Sequence, residues 1–282
     1  MTAPYRRPGD VPDFLELLRL DGRPMVVLGG GAGIGRQTVH ALVQAGADVV
    51  CIDRESHLAK AVAQEAGCHA LTADATSRDD LSQALDEAAR LTGPLTGLVD
   101  IIGAAAIGPL SAVDDAGWQR QVDINLRHAF LATQLAAPSI AAAGGGSIAF
   151  VGSISGLRAV PDESLYGMLK AALHHLIATM GSELALARVR VNGVAPGWTK
   201  TPRLAGMLGP DKWRTIGAQI PRGSAAEPWE IAAPLLFLMS QMSSYVTGHV
   251  LVADGGLINS VPHPDVFARA AEPPAPPIGA PA

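Results

Sequence analysis

At 282 residues, with 48% hydrophobic and 17% charged residues, the chain has ample material for one large α/β core or two smaller ones. A formal net charge of −5 without a long basic run argues against a nucleic-acid or anionic-membrane partner and for a small-molecule substrate. Cys51 and Cys68 are the two cysteines, each in an apolar stretch, which suits reduced core thiols rather than a disulfide framework. No apolar run approaches the ~18 residues of a membrane helix, and Arg6 and Arg7 are not followed by an apolar export segment, so a cytoplasmic protein is expected.

Residues 1–22 read as a polar, proline-punctuated arm in which Phe14, Leu17, Leu18 and Leu20 have the spacing of a short docking helix. From residue 23 to 260, apolar runs such as MVVLG, DVVCI and LVDII alternate with longer helical stretches. That alternation predicts a parallel sheet with crossover helices. Right-handed crossovers put helices on both faces, giving a single α/β domain of the Rossmann type, a doubly wound parallel sheet. Residues 261–282 form a tail with seven prolines and few large apolar groups, which cannot order itself by core burial. Val266 and Phe267 are its one apolar anchor, so it is either a solubilising end or an arm lying on a neighbouring subunit.

The first strand runs directly into Gly29, Gly30, Gly31, Ala32, Gly33, Ile34 and Gly35 and then into an amphipathic helix. Glycines permit a tight turn and close backbone approach to a pyrophosphate, and the helix N-terminus offers unpaired N–H groups and positive dipole to the anion. The second strand ends at Asp53, eighteen residues after Gly35, where a carboxylate can accept hydrogen bonds from an adenosine ribose and repel a 2′-phosphate. That predicts NAD in preference to NADP. Arg54 leaves the second choice open, because a guanidinium swung inward could bind the 2′-phosphate.

Further along, SIAFVG reads as a buried strand whose carboxyl end carries Ser153, the end at which open parallel sheets bind ligands. Thirteen residues later Tyr166 opens an alanine-rich helical stretch, and Lys170 follows one turn on along the same face. A free phenol titrates near ~10, but a neighbouring ammonium favours its ionised form and draws it toward the working range of an acid/base catalyst.

Taken with the glycine loop, these residues resemble the short-chain dehydrogenase/reductase family, and the likeness extends over residues 23–258. The G-x-x-x-G-x-G spacing of Gly29, Gly33 and Gly35 is similar to that family's fingerprint, and Ser153, Tyr166 and Lys170 fall on its catalytic serine, tyrosine and lysine. The resemblance implies that Asn125 completes a catalytic tetrad from a helix bend, with a buried structural amide as its other reading. It also implies cofactor contacts at Ile34, Asp74 and Ala75, Gly103, Pro196, Gly197, Thr199 and Thr201, with Tyr166 and Lys170 contacting the nicotinamide ribose. Asp74 reads equally as an exposed loop aspartate. Two positions depart from the family: Leu28 replaces a threonine before the first glycine, and Asp100, Ile101 and Ile102 replace the start of an Asn-Asn-Ala-Gly segment.

The segment from Arg203 to Arg222 is similar to the family's substrate lid and carries Leu204, Met207, Leu208, Trp213 and Ile216. An apolar lid implies an apolar or cyclic alcohol or ketone, and an ordinary amphipathic helix is its alternative. The implied activity is reversible hydride transfer between NAD and a secondary alcohol. A 3-oxoacyl-thioester reductase of the same family and a non-catalytic dinucleotide-binding protein are the rivals. No metal is implied. Members of the family mostly assemble through the helices that match those near Asn125 and Tyr166, and both segments are alanine-rich and apolar here, so the resemblance implies a homo-oligomer, a tetramer or dimer.

Overall fold

The computed structural model describes residues 11–260; the tail, with Val266 and Phe267, lies outside them. Seven strands form one sheet: β1 (Pro24–Leu28), β2 (Asp48–Asp53), β3 (His69–Thr72), β4 (Gly97–Asp100), β5 (Gly146–Val151), β6 (Val189–Pro196) and β7 (Val250–Ala253). Their order is β3-β2-β1-β4-β5-β6-β7, and every neighbouring pair is parallel. The central strands are continuous apolar runs because both faces are covered; β4 and β5 are buried along almost their whole length.

Helices α1 (Gly33–Gln44), α2 (Ser56–Ala66), α3 (Arg78–Thr92), α4 (Asp115–Val122), α5 (His128–Ala142), α6 (Ser164–Glu183), α7 (Pro202–Met207), α8 (Pro210–Ala218) and α9 (Pro228–Met239) connect the strands. Two cores result. On one face Leu81 and Leu85 of α3, Leu131 and Ile140 of α5, and Leu173 and Ile177 of α6 pack on Val26, Val50, Leu98 and Phe150. On the other, Val39 and Leu42 of α1, Val62 of α2, and Ile231 and Leu235 of α9 pack on Val27, Cys51, Val99 and Val194. The doubly wound α/β sheet expected from the alternation is therefore present.

Because the chain leaves β1 toward β2 and β3 and then returns to β4 on the other side, the strand order reverses between β1 and β4. Crevices at such a reversal, outside the strands' carboxyl ends, are where open α/β sheets hold ligands. All strands being parallel, that one edge collects the segments after Leu28, Asp53, Asp100, Val151 and Pro196.

Two local expectations are corrected. The apolar run LVDII does not continue as strand: β4 stops at Asp100, whose Oδ1 accepts the Ile102 N–H at 2.9 Å and turns the chain. The docking helix shrinks to one 3₁₀ turn, Glu16–Leu18, with Phe14 exposed. Leu20 alone of the four is fully buried, and its N–H donates to the Ala45 carbonyl at 2.8 Å. Both cysteines are free thiols, with burial first among the causes that push Cys51 up to about 12 and Cys68 to about 11. Among the described residues no helix is long and apolar enough to cross a membrane.

Candidate active site

Leu28 is buried at the end of β1, and the next residues turn through Gly29 at φ +76° into α1. The Gly29 and Gly30 N–H groups both donate to the Ile52 carbonyl, at 2.8 and 3.2 Å. Backbone ties thus brace the loop that lacks the expected threonine. A Cβ on Gly35 would lie 2.0 Å from the Gly29 carbonyl oxygen, and one on Gly31 would lie 2.7 Å from Asp53 Oδ2. Among the described residues no side chain caps the N-terminus of α1, whereas Ser77 caps α3 and Asp114 caps α4. A cradle that only glycine can line, ending at an uncapped helix dipole, fits the pyrophosphate of a dinucleotide.

Gly35→Ala follows as a test of that cradle. Alanine in a helix gains about 1 kcal/mol over glycine, but the clash here is with backbone that cannot swing aside, and overpacking costs about 1–3 kcal/mol. The clash wins, so the urea midpoint should fall and NAD binding should weaken; an unchanged midpoint would remove the close approach from the account.

At the end of β2, Asp53 Oδ2 accepts the Gly31 N–H at 2.9 Å and Oδ1 accepts the Glu55 N–H at 3.0 Å. The expected ribose acceptor is thus anchored against the glycine loop itself. Arg54 is exposed and turned to Glu55, its Nε 3.6 Å from Oε1. Asp74 is exposed, with Oδ1 accepting from both the Thr76 N–H and hydroxyl at 2.9 and 2.7 Å, while Ala75 is buried behind it.

Ser153 lies two residues beyond β5 and is almost fully buried. Its Oγ accepts the Ser155 N–H at 3.1 Å, which leaves the hydroxyl hydrogen free to donate elsewhere. Tyr166 and Lys170 lie one turn apart near the start of α6, with Lys170 Nζ 5.8 Å from the centre of the Tyr166 ring. Lys170 is buried, and its Nζ donates to the Val151 carbonyl at 2.9 Å. Serine, tyrosine and lysine therefore converge on the carboxyl end of β5.

Their electrostatics correct one expectation. Tyr166 is not drawn down by Lys170 in this structure: burial raises its phenol first, the Ser153 hydroxyl and Arg203 oppose that, and Glu163 adds to it. Lys170 is lowered to about 8, chiefly by burial, with the Asp100 charge acting upward.

Asn125 occupies a π-helical turn, Asp123–Arg127, between α4 and α5, a local break in the regular α-helical bonding. Its side chain is fully buried; Oδ1 accepts the Ala104 N–H and Nδ2 donates to the Ala104 carbonyl, both at 3.0 Å. The amide therefore clamps the loop after β4. A Cβ on Gly103 would lie 2.8 Å from Lys170 Nζ and 3.3 Å from Asn125 Oδ1. Glycine at that position is what lets the loop reach the lysine.

After β6, the Gly197 N–H donates to the Ala253 carbonyl at 3.0 Å, following Pro196 at the strand's last position. Thr199 is buried, its hydroxyl bonded to the Gly197 carbonyl at 3.1 Å. Thr201 caps α7, its Oγ1 accepting the Leu204 N–H at 3.4 Å. Thr201 and Pro202 lie against the glycine loop, 3.3–3.4 Å from a Cβ placed on Gly33, so the lid segment begins beside the cradle. Within it Leu204, Leu208, Trp213 and Ile216 are half-buried and Met207 is exposed.

Three residues of the site were not anticipated. His174 continues the Tyr166 and Lys170 face by another turn, and its Nε2 accepts the Ser153 N–H at 3.4 Å. Burial, then the Lys170 charge, lower it to about 4. The i, i+4, i+8 spacing was its available signal. Glu163 accepts the Ser155 hydroxyl at 2.6 Å beside the phenol. His128 Nδ1 lies 2.8 Å from Asp100 Oδ2, with both side chains at most 1% exposed; 28 residues apart, they share no spacing that links them.

A family model described as enoyl-(acyl carrier protein) reductase matches residues 29–258. Galactitol 2-dehydrogenase (L-tagatose-forming) of Cereibacter sphaeroides is 35% identical over 250 residues, covering 86% of this chain and 98% of its own. A 3-oxoacyl-[acyl-carrier-protein] reductase of Thermotoga maritima is 32% identical over 247 residues, covering 86% of this chain and 100% of its own. The solved structure of 7α-hydroxysteroid dehydrogenase complexed with NADH and 7-oxo glycochenodeoxycholic acid superposes with a TM-score of 0.82. It is 32% identical and covers 86% of this chain and 96% of that one.

Proposed function

Because this chain belongs to the short-chain dehydrogenase/reductase family and is an oxidoreductase of CH–OH groups, we propose that it interconverts a secondary alcohol and its ketone using NAD. The observation that carries this reading is the convergence of Ser153, Tyr166 and a buried Lys170 at the carboxyl end of β5.

When bound, the nicotinamide supplies or accepts the hydride. The chain's own residues handle the proton and the charge. As the carbinol carbon gives up hydride, its hydroxyl must lose a proton, and Tyr166 Oη takes it; in the reverse direction the same phenol returns it. A buried phenol held protonated suits the donor role of the reductive direction directly. Ser153, whose hydroxyl hydrogen is not used in the bond from the Ser155 N–H, donates to the substrate oxygen where negative charge develops. Lys170, fixed by the Val151 carbonyl, presents its remaining N–H groups to a ribose hydroxyl, and Asn125 holds the Gly103–Ala104 loop against it. The glycine cradle and the α1 N-terminus would hold the pyrophosphate, and Thr201 would orient the carboxamide.

Asp53 supports NAD over NADP, since its carboxylate would repel a 2′-phosphate and Arg54 is turned away toward Glu55. Asp53→Ala should weaken NAD binding and relieve that repulsion, narrowing the NAD to NADP ratio of kcat/KM. A wild-type enzyme already preferring NADP would overturn this assignment. The half-buried Leu204, Leu208, Trp213 and Ile216 of the lid support an apolar or cyclic substrate. Trp118 on α4, Phe130 on α5 and Met168 on α6 leave large apolar groups 45–47% exposed, which supports assembly into a dimer or tetramer through those helices.

A second reading, reduction of a 3-oxoacyl thioester, is favoured by the likeness to the Thermotoga maritima reductase and opposed by Asp53. The two separate in one screen, in which secondary alcohols with NAD or NADP, and a 3-oxoacyl thioester with either reduced cofactor, are followed by nicotinamide absorbance. Turnover of an apolar or cyclic alcohol with NAD is expected. Turnover of the thioester alone, with NADPH, would replace the first reading by the second.

A further inference from the structure

Lys170 poses an electrostatic problem, because an ammonium has three donors and a buried charge is costly unless it is paired. Its one hydrogen bond among the described residues goes to the neutral Val151 carbonyl. The solution lies one strand away. Asp100 ends β4 opposite Phe150 of β5, the residue just before Val151, and Gly103, three residues after Asp100, reaches Lys170 Nζ directly.

We propose that Asp100 and His128 form a positioning pair whose buried carboxylate is the counter-charge of Lys170, held in place by the imidazole and by the Ile102 N–H. The proposal deepens the reading of Lys170 in the proposed mechanism and rests on it. His128 Nδ1–H donates to Asp100 Oδ2, and Oδ1 accepts the Ile102 N–H at 2.9 Å, so both carboxylate oxygens are fixed. Among the described residues His128 Nε2 is buried without a hydrogen-bond partner.

The titratable groups facing Lys170 are Tyr166 and His174 from its own helix, Asp100 from β4 and, behind Asp100, His128 from α5. Burial raises the Tyr166 phenol and lowers His174 to about 4, so neither supplies a negative charge beside Lys170 at pH 7. In agreement, the Asp100 charge is the one influence that raises Lys170 against the effect of its burial.

The sequence contains only four lysines, Lys60, Lys170, Lys200 and Lys212, so the side-chain amines can be titrated individually by NMR in the full-length protein without added cofactor. In Asp100→Asn the Lys170 midpoint should fall by about one pH unit or more. In His128→Gln, which keeps the carboxylate and a donor to it, the midpoint should stay or rise. Should Asp100→Asn fail to fold, Asp100→Asn/His128→Gln preserves a hydrogen bond between two amides and should show the same fall. A wild-type midpoint in the Asp100 variants, or an equal fall in His128→Gln alone, would overturn the proposal. Because the readout is the amine itself, an enzyme that turned over normally without Tyr166 would defeat the mechanism and leave the titration result standing.

Discussion

Tyr166→Phe is expected to abolish turnover while leaving NAD affinity within a few-fold of wild type. The substitution removes one hydroxyl from a ring at the start of α6 and leaves the hydrocarbon face that lies beside Lys170 Nζ. Lys170 keeps its bond to the Val151 carbonyl, and the glycine cradle and Asp53 are untouched, so the elements assigned to cofactor binding remain. What disappears is the atom that exchanges a proton with the substrate oxygen. General acid–base catalysis contributes about 10²–10⁴-fold, and among the described residues Glu163 is bonded to Ser155 and His174 is turned to the Ser153 backbone, so neither is free to substitute. Steady-state kinetics with cofactor binding by fluorescence checks both halves. Retention of more than a tenth of wild-type turnover would exclude Tyr166 as the acid/base.

Ser153→Ala is expected to lower kcat by ~10² or more, the usual loss on removing one oxyanion donor, with a much smaller effect on melting temperature. The hydroxyl accepts the Ser155 N–H, and losing that local bond at the edge of the site costs about 1 kcal/mol. The backbone N–H bond to His174 and the burial of Ile154 beside it are retained. The structural penalty is therefore small against the catalytic one. An unchanged kcat would take Ser153 out of the reaction, whereas a large fall in melting temperature would show that its main role is to shape the turn after β5.

The fold was legible because its signals are periodic and local. MVVL, DVVCID and SIAFV are runs too apolar for a half-exposed strand, and their alternation with amphipathic stretches permits little besides a covered parallel sheet. The Tyr166 and Lys170 pair was legible for the same reason, since four residues on a helix is one turn. Burial was not. The expectation that Lys170 would pull the phenol down treated the pair alone, and burial reverses that balance by desolvating both groups. The Asp100 departure was visible as a mismatch, but its consequence depends on His128, which only the packing of α5 on β4 brings within 2.8 Å. LVDII shows the limit at an element's end: its apolar content predicts more strand, and one carboxylate on the Ile102 N–H stops it. In the N-terminal arm, spacing alone predicted a helix, and only Leu20 found a core to enter.

The central claim is that hydride passes directly between a carbinol carbon and NAD in a site where Tyr166 handles the proton. A secondary alcohol that the enzyme accepts, deuterated at its carbinol carbon, tests this in ordinary water, with the reduced nicotinamide product analysed by mass spectrometry. One deuterium per reduced nicotinamide, formed by the wild type and not by Tyr166→Phe, is the predicted result. Reduced nicotinamide carrying no deuterium, or the labelled product formed equally well by Tyr166→Phe, would contradict it.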